Sequence, residues 1–175
     1  VMVAHFEHDA SVDCPQLAYK LNRLLPRDIS VMKVIPVDAD MHARFSATKR
    51  TYHYYIHMRK DPFHRFFSCE THYDLDFTLM NKAAFGFRLC CILQDTYRCE
   101  DHYMQGDKAE WVDDGGGCWH FVISADRFLR NMVRAVVGTL IEVGRHRMTL
   151  EQFQSVIEGK NRCKAGESMP GNALF

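Results

Sequence analysis

The chain has 175 residues, enough for one domain or two small subdomains, with 47% hydrophobic and 25% charged residues. Lys plus Arg and Asp plus Glu both number 22, so no overall basic excess marks a nucleic-acid partner. No apolar run is long enough to span a bilayer and no charged-then-apolar leader is visible. The seven cysteines form no C-x-x-C pair and no zinc spacing with the ten histidines, so the expectation is reduced thiols, no metal and a cytoplasmic protein.

In chain order, Val1 to Glu7 reads as a buried strand. Asp13 caps a helix with Pro15 in its first turn and Gln16 three residues on, and Leu17, Leu21 and Leu24 share one face until Pro26. Ile29 to Pro36 is expected as a strand, Met41 to Ser46 as further extended chain, and Thr51 to Met58 as an alternating strand. Asp76 caps a second helix carrying Phe77, Met80 and Ala84. From Gly86 to Gly106 no period is readable. Trp111–Val112 and Trp119 to Ile123 are strands joined by the Asp-Asp-Gly-Gly-Gly turn from Asp113. Ser124 or Asp126 is expected to cap the longest helix. Phe128, Met132, Val136, Leu140 and Val143 form its buried stripe, and Gly144 ends it. Thr149 with Gln152 makes a capping box for a short helix, and the tail is expected to return as an apolar strand at Ala173. This order predicts an α+β fold, an antiparallel sheet with helices on one face, divided into residues 1–47 and 48–175.

Charge is uneven along the chain. Ala43 to Lys60 holds five basic residues and no acidic one, whereas Asp95 to Asp114 holds seven acidic residues and two basic ones. If helical, Arg127, Arg130 and Arg134 fall within about 60° of one another, as a solvated face or as a phosphate-tracking stripe. Arg134 stands among Val133, Ala135 and Val136, where a guanidinium either snorkels or pairs with a buried carboxylate. Ala43 to Tyr55 interleaves cations with Phe45, Tyr52, Tyr54 and Tyr55, a pattern that suits unstacked bases or simply a strand with one aromatic face in the core. Alternation puts Tyr52 and Tyr54 on one face, His53 and Tyr55 on the other. His42 and His53 read as ordinary polar or core residues, with contact to RNA phosphate the minor alternative.

Four motifs in order carry a resemblance. His42 to Ala47 (HARFSA) with Arg50 to Tyr54 (RTYHY), Leu21 to Ile29 ending in LPRDI, Phe128 to Gly144 (FLRNMVRAVVGTLIEVG), and Ala165-Gly166 to Pro170 with Ala173-Leu174 are similar to the tRNA pseudouridine synthase A family. The resemblance implies the pseudouridine synthase fold, two ferredoxin-like subdomains with the first incomplete. It also implies a homodimer that isomerises uridine to pseudouridine at positions 38–40 of the tRNA anticodon stem-loop, with no cofactor. Arg134 would then pair with the catalytic aspartate, Tyr52 would stack on the target base and assist the proton step, and Leu174 would line the pocket. Arg44, Lys49, Arg50, Arg127 and Arg130 would hold tRNA phosphates. The segment CCILQDTYRC departs from the family's DFxxF-type pattern, and Ala173 stands where the family often has Gly. The family's aspartate sits in a GRTDxGVHA motif that leads into a strand like VMVAHFE. That motif is not among these residues, so the expectation is that the 175-residue chain alone is inactive. A non-catalytic RNA-binding module with a basic, aromatic cleft is the alternative, and a Cys/His metal protein a third.

Overall fold

The computed structural model describes residues 2–8, 11–89, 106–158 and 165–175. The unread segment around CCILQDTYRC lies largely outside these. The chain divides into two compact units, Val1–Thr48 and Lys49–Phe175.

In the first unit, α1 (Cys14–Leu24) starts where expected: the Asp13 carboxylate accepts from the Gln16 N–H at 3.0 Å. None of its residues is buried, and Leu24 is largely exposed. Of the strands expected at Val1 to Glu7 and Ile29 to Pro36, none forms over the described residues, and Met2, Val3, Phe6, Met32 and Ile35 are exposed. A strand is stable only with a neighbour for its N–H and C=O groups, and the described residues of this unit supply none. One side chain does the tethering instead: the Asn22 amide pairs with both backbone groups of Val31, at 2.8 and 2.7 Å. Met41 to Ser46 is a turn rather than extended chain. The Ser46 N–H donates to the His42 carbonyl (2.8 Å), while His42 Nδ1 accepts from the Arg44 and Phe45 N–H groups (3.1 and 3.2 Å). His42 is thus the organiser of its own turn.

The second unit is a sheet in the order β2-β1-β4-β3, formed by β1 (Arg50–His57), β2 (Cys69–Glu70), β3 (Gly106–Gly115) and β4 (Cys118–Ala125). It is mixed rather than antiparallel, because the short β2 runs parallel to β1. β3 and β4 form a hairpin with Gly116 and Gly117 at the tip, at φ 65° and 85°, as a two-residue primed turn requires. Alternation decides the faces. Tyr52, Tyr54 and Ile56 lie level with Ile123, Phe121 and Trp119 on the face that packs on the helices. Asn81 on α2 (Phe77–Leu89) clasps both backbone groups of Trp111 (2.7 and 3.2 Å), satisfying that residue on the side of β3 away from β4.

The central helix, α3 (Met132–Gly144), begins five residues later than the Asp126 cap implies, because β4 continues to Ala125 and 126–131 is a connection. Arg127 and Arg130 therefore leave the helix, and the predicted three-arginine stripe does not exist as a helix face. Phe128 packs on the core from the connection rather than from the helix. α3 is buried on nearly every side, which explains a sequence apolar well beyond one stripe. Gly144 ends the helix as expected, and the left-handed residue is His146 at φ 56°, one past the C-cap Arg145. A Cβ at Gly144 would come within 2.4 Å of Met80 Sδ, so close approach of α2 requires the glycine. Thr149 and Gln152 form the expected reciprocal capping box of α4 (Leu150–Glu158), at 2.9 and 3.2 Å.

The tail does not form a strand at Ala173. Gly171–Ala173 is a 3-10 turn, after which Leu174 bridges Tyr54 and Phe175 exchanges both backbone hydrogen bonds with His53 (2.8 and 2.9 Å). The tail thereby occupies the edge of β1 beyond β2.

Candidate active site

Three segments converge at the N-terminal end of α3: the start of β1, the 126–131 connection and the tail. Their approach depends on two glycines. A Cβ on Gly138 would lie 1.9 Å from the Glu167 carbonyl oxygen, and one on Gly166 would lie 2.8 Å from the Thr139 nitrogen. The Thr139 hydroxyl accepts from the Gly166 N–H (2.9 Å) and donates to the Ala135 carbonyl (2.8 Å), pinning the tail to the helix. The tail then runs along α3, where the Met169 N–H donates to the Arg134 carbonyl (3.2 Å).

Arg134 lies in the first turn of α3 and is half-buried. Its Nε donates to the Met169 carbonyl and its Nη1 to the Asn131 side-chain oxygen at 3.1 Å. Both partners are neutral. No carboxylate of the described residues forms an ion pair with it. Gly171 stands beside the guanidinium: a Cβ there would be 3.9 Å from Cζ and Nη1. A guanidinium can donate five hydrogen bonds, so donors remain for an anion.

The next carbonyl of the tail, Pro170, accepts from the Tyr54 hydroxyl at 2.9 Å. Tyr54 is fully buried, and burial chiefly, with the Cys69 thiol beside it, pushes its pKa far above the ordinary tyrosine value; the Arg134 charge opposes this more weakly. Tyr54 is therefore a neutral tie between sheet and tail. Burial likewise raises the Cys69 thiol. Tyr54→Phe would leave the Pro170 carbonyl without its donor, and should lower stability by about 1–2 kcal/mol, read as a lower denaturant midpoint at unchanged slope.

Tyr52, two residues earlier on the same face, is only partly buried. Its ring meets Phe128 edge-on, centroids 5.1 Å apart, so Phe128 orients it. Leu174 is half-buried and its backbone bridges Tyr54. The residues singled out in the sequence thus separate. Arg134, Tyr52 and Leu174 come to the meeting point of α3, β1 and the tail. Arg50 begins β1 and donates from Nη1 to the Asp126 carbonyl at 2.6 Å, tying strand to connection. Lys49, Arg127 and Arg130 are exposed in the segments that flank it. Arg44 belongs to the first unit, its guanidinium 5.8 Å from the centre of the Phe45 ring.

Sequence reasoning did not single out Asn131 or Met169, and it named Pro170 only as part of a motif. The two tail residues act through backbone carbonyls, which no side-chain pattern reports. On the other face of the sheet, His53, Tyr55 and His120 stack at 5.2–6.3 Å, and His120 pairs with Asp114 at 2.7 Å. Burial, then His120 and Lys108, hold the His53 pKa below the usual histidine value, with Asp114 acting in the opposite sense. No group of three or more metal-ligating side chains occurs, and no helix is long and apolar enough to cross a membrane, among the described residues.

The profile of one protein family, described as tRNA pseudouridine synthase, matches residues 85–175. The tRNA pseudouridine synthase A of Bacteroides fragilis is 49% identical over 185 residues, which cover the whole of this chain and 71% of that protein. The protein of the same name from Parabacteroides distasonis is 48% identical over 182 residues, with the same coverage. That of Bacillus subtilis is 32% identical over 181 residues, covering 99% of this chain and 72% of its own length.

Proposed function

The chain belongs to the tRNA pseudouridine synthase family, and from that premise we propose that it isomerises uridine to pseudouridine at positions 38–40 in the anticodon stem-loop of tRNA. The observation that carries the assignment of the site is Arg134: a half-buried guanidinium held by two neutral oxygens, with donors left for an anion. That anion is an aspartate nucleophile, expected from a GRTDxGVHA motif that these 175 residues do not contain.

The target uridine leaves its stack, at a cost of a few kcal/mol that the pocket must repay. The Tyr52 ring, steadied by Phe128, supplies a stacking face, and Leu174 supplies an apolar wall. Arg134 keeps the aspartate ionised and aimed at the uridine. The bond between the ribose C1′ and uracil N1 breaks, the base turns, and a bond from C1′ to C5 forms. The C5 proton is lost and N1 gains one, with Tyr52 assisting, so the reaction is an isomerisation needing no oxidant or reductant. Arg44, Lys49, Arg50, Arg127 and Arg130 hold phosphates. The enzyme is cytoplasmic and homodimeric in this reading.

The test uses transcripts of an anticodon stem-loop carrying uridine at one of the three positions, incubated with the full-length gene product and then mapped for pseudouridine. Conversion is expected at one or more positions, while the 175-residue chain alone should give none. Binding without conversion by the full-length gene product would instead make the protein a non-catalytic RNA-binding module.

A further inference from the structure

Asn131 sits at the N-cap of α3 in a left-handed conformation, φ 62° and ψ 3°. Non-glycine residues seldom adopt this geometry, although asparagine tolerates it better than most. Asparagine is also a favoured helix cap, its side chain normally accepting from an N–H of the first turn. Here it makes no such bond. Its amide oxygen accepts from Arg134 Nη1 at 3.1 Å. The first turn forgoes a side-chain cap, the residue accepts an uncommon backbone conformation, and the bond its side chain makes instead is a second hold on Arg134.

Two holds matter for a guanidinium. The Met169 carbonyl on Nε alone leaves the fork free to pivot about that bond. An acceptor on Nη1 as well fixes the plane, and with it the direction of the remaining donors. The left-handed turn returns the Asn131 side chain over the residue three positions on. We propose that Asn131 is a positioning residue: it sets the plane of the Arg134 guanidinium so that the free edge meets the nucleophilic carboxylate in register. This rests on the assignment of Arg134 as the carboxylate's partner.

The test is Asn131→Gly in the full-length gene product, because glycine keeps the positive φ and removes only the acceptor. A purely conformational role would leave this variant at wild-type activity. Positioning predicts a kcat lower by about 10–100-fold with KM within about threefold, since an ångström of misplacement costs that order in rate. A second readout does not depend on turnover: the exchange with water of the Arg134 Nη1 protons, the group that Asn131 holds, their signal assigned by its loss in Arg134→Lys. Exchange should quicken at least about tenfold in Asn131→Gly and stay slow in Asn131→Asp, which keeps an acceptor. Wild-type kcat together with slow exchange in Asn131→Gly would overturn the proposal. If the wild-type protein shows no conversion, the functional reading fails, and the exchange measurement still decides whether Asn131 orders Arg134.

Discussion

Arg134→Ala in the full-length gene product should reduce pseudouridine formation by at least about 1,000-fold and leave the protein folded. Both halves follow from the same geometry. The guanidinium is held by the Met169 carbonyl and the Asn131 side chain, and these two bonds together contribute about 1–3 kcal/mol to folding. Part of that is offset by relief of a half-buried charge whose partners are neutral. The net change in stability is therefore small. The loss in catalysis is not, because a preorganised charge aimed at a reacting group in a water-poor site is worth several kcal/mol of barrier. Arg134→Lys separates charge from shape. A lysine keeps the cation but cannot hold Met169, Asn131 and a carboxylate at once, so it should recover no more than a few per cent of the activity. Initial rates with saturating stem-loop RNA, beside thermal unfolding of each variant, check both statements.

Gly138→Ala should have the largest effect on stability. In an open helix this change would stabilise by about 1 kcal/mol through helix propensity. Here the added carbon would sit 1.9 Å from the backbone oxygen of Glu167, and backbone cannot rotate away as a side-chain end can. The tail must lift from α3. Lifting it threatens the Gly166 bond to Thr139, the Met169 bond to the Arg134 carbonyl, the Met169 hold on the guanidinium and the Tyr54 bond to Pro170. Four hydrogen bonds at about 1 kcal/mol each outweigh the propensity gain, for a net loss of about 3 kcal/mol. The melting temperature should fall by about 6–12 °C for a chain of this size. Activity should fall further than stability alone explains, because the same segment carries Met169 and Leu174. A melting temperature at or above that of the wild type would show that the tail does not depend on this contact.

The parts of the fold legible in the sequence were those set by local chemistry. Asp13, Asp76, and Thr149 with Gln152 cap their helices as read, since a cap is a contact between residues three apart. The alternation of Tyr52, His53, Tyr54 and Tyr55 sorted their faces, because the strand's period is fixed. What escaped depended on distant partners. The strands expected before Pro36 had the right composition, but a ladder needs a neighbour that composition does not reveal. The start of α3 was misplaced because Asp126 is a good cap by type, while β4 pairing holds the backbone extended through Ala125. Gly144 ends its helix as read, but its packing against Met80 on another helix was not legible.

The site shows the same division. Arg134 was legible as an apolar-flanked cation in want of a partner. Its carbonyl and amide holders were not, since Met169 acts through its backbone and Asn131 takes its part only once the helix start is placed after it.

Formation of the bond to C5 expels the hydrogen there, so tritium at C5 of uridine reports the central step directly. Anticodon stem-loop RNA carrying that label should release tritium to water with the full-length gene product, in stoichiometry with pseudouridine formed. Tight binding of the RNA with no tritium released would contradict the assignment of this fold as a working isomerase.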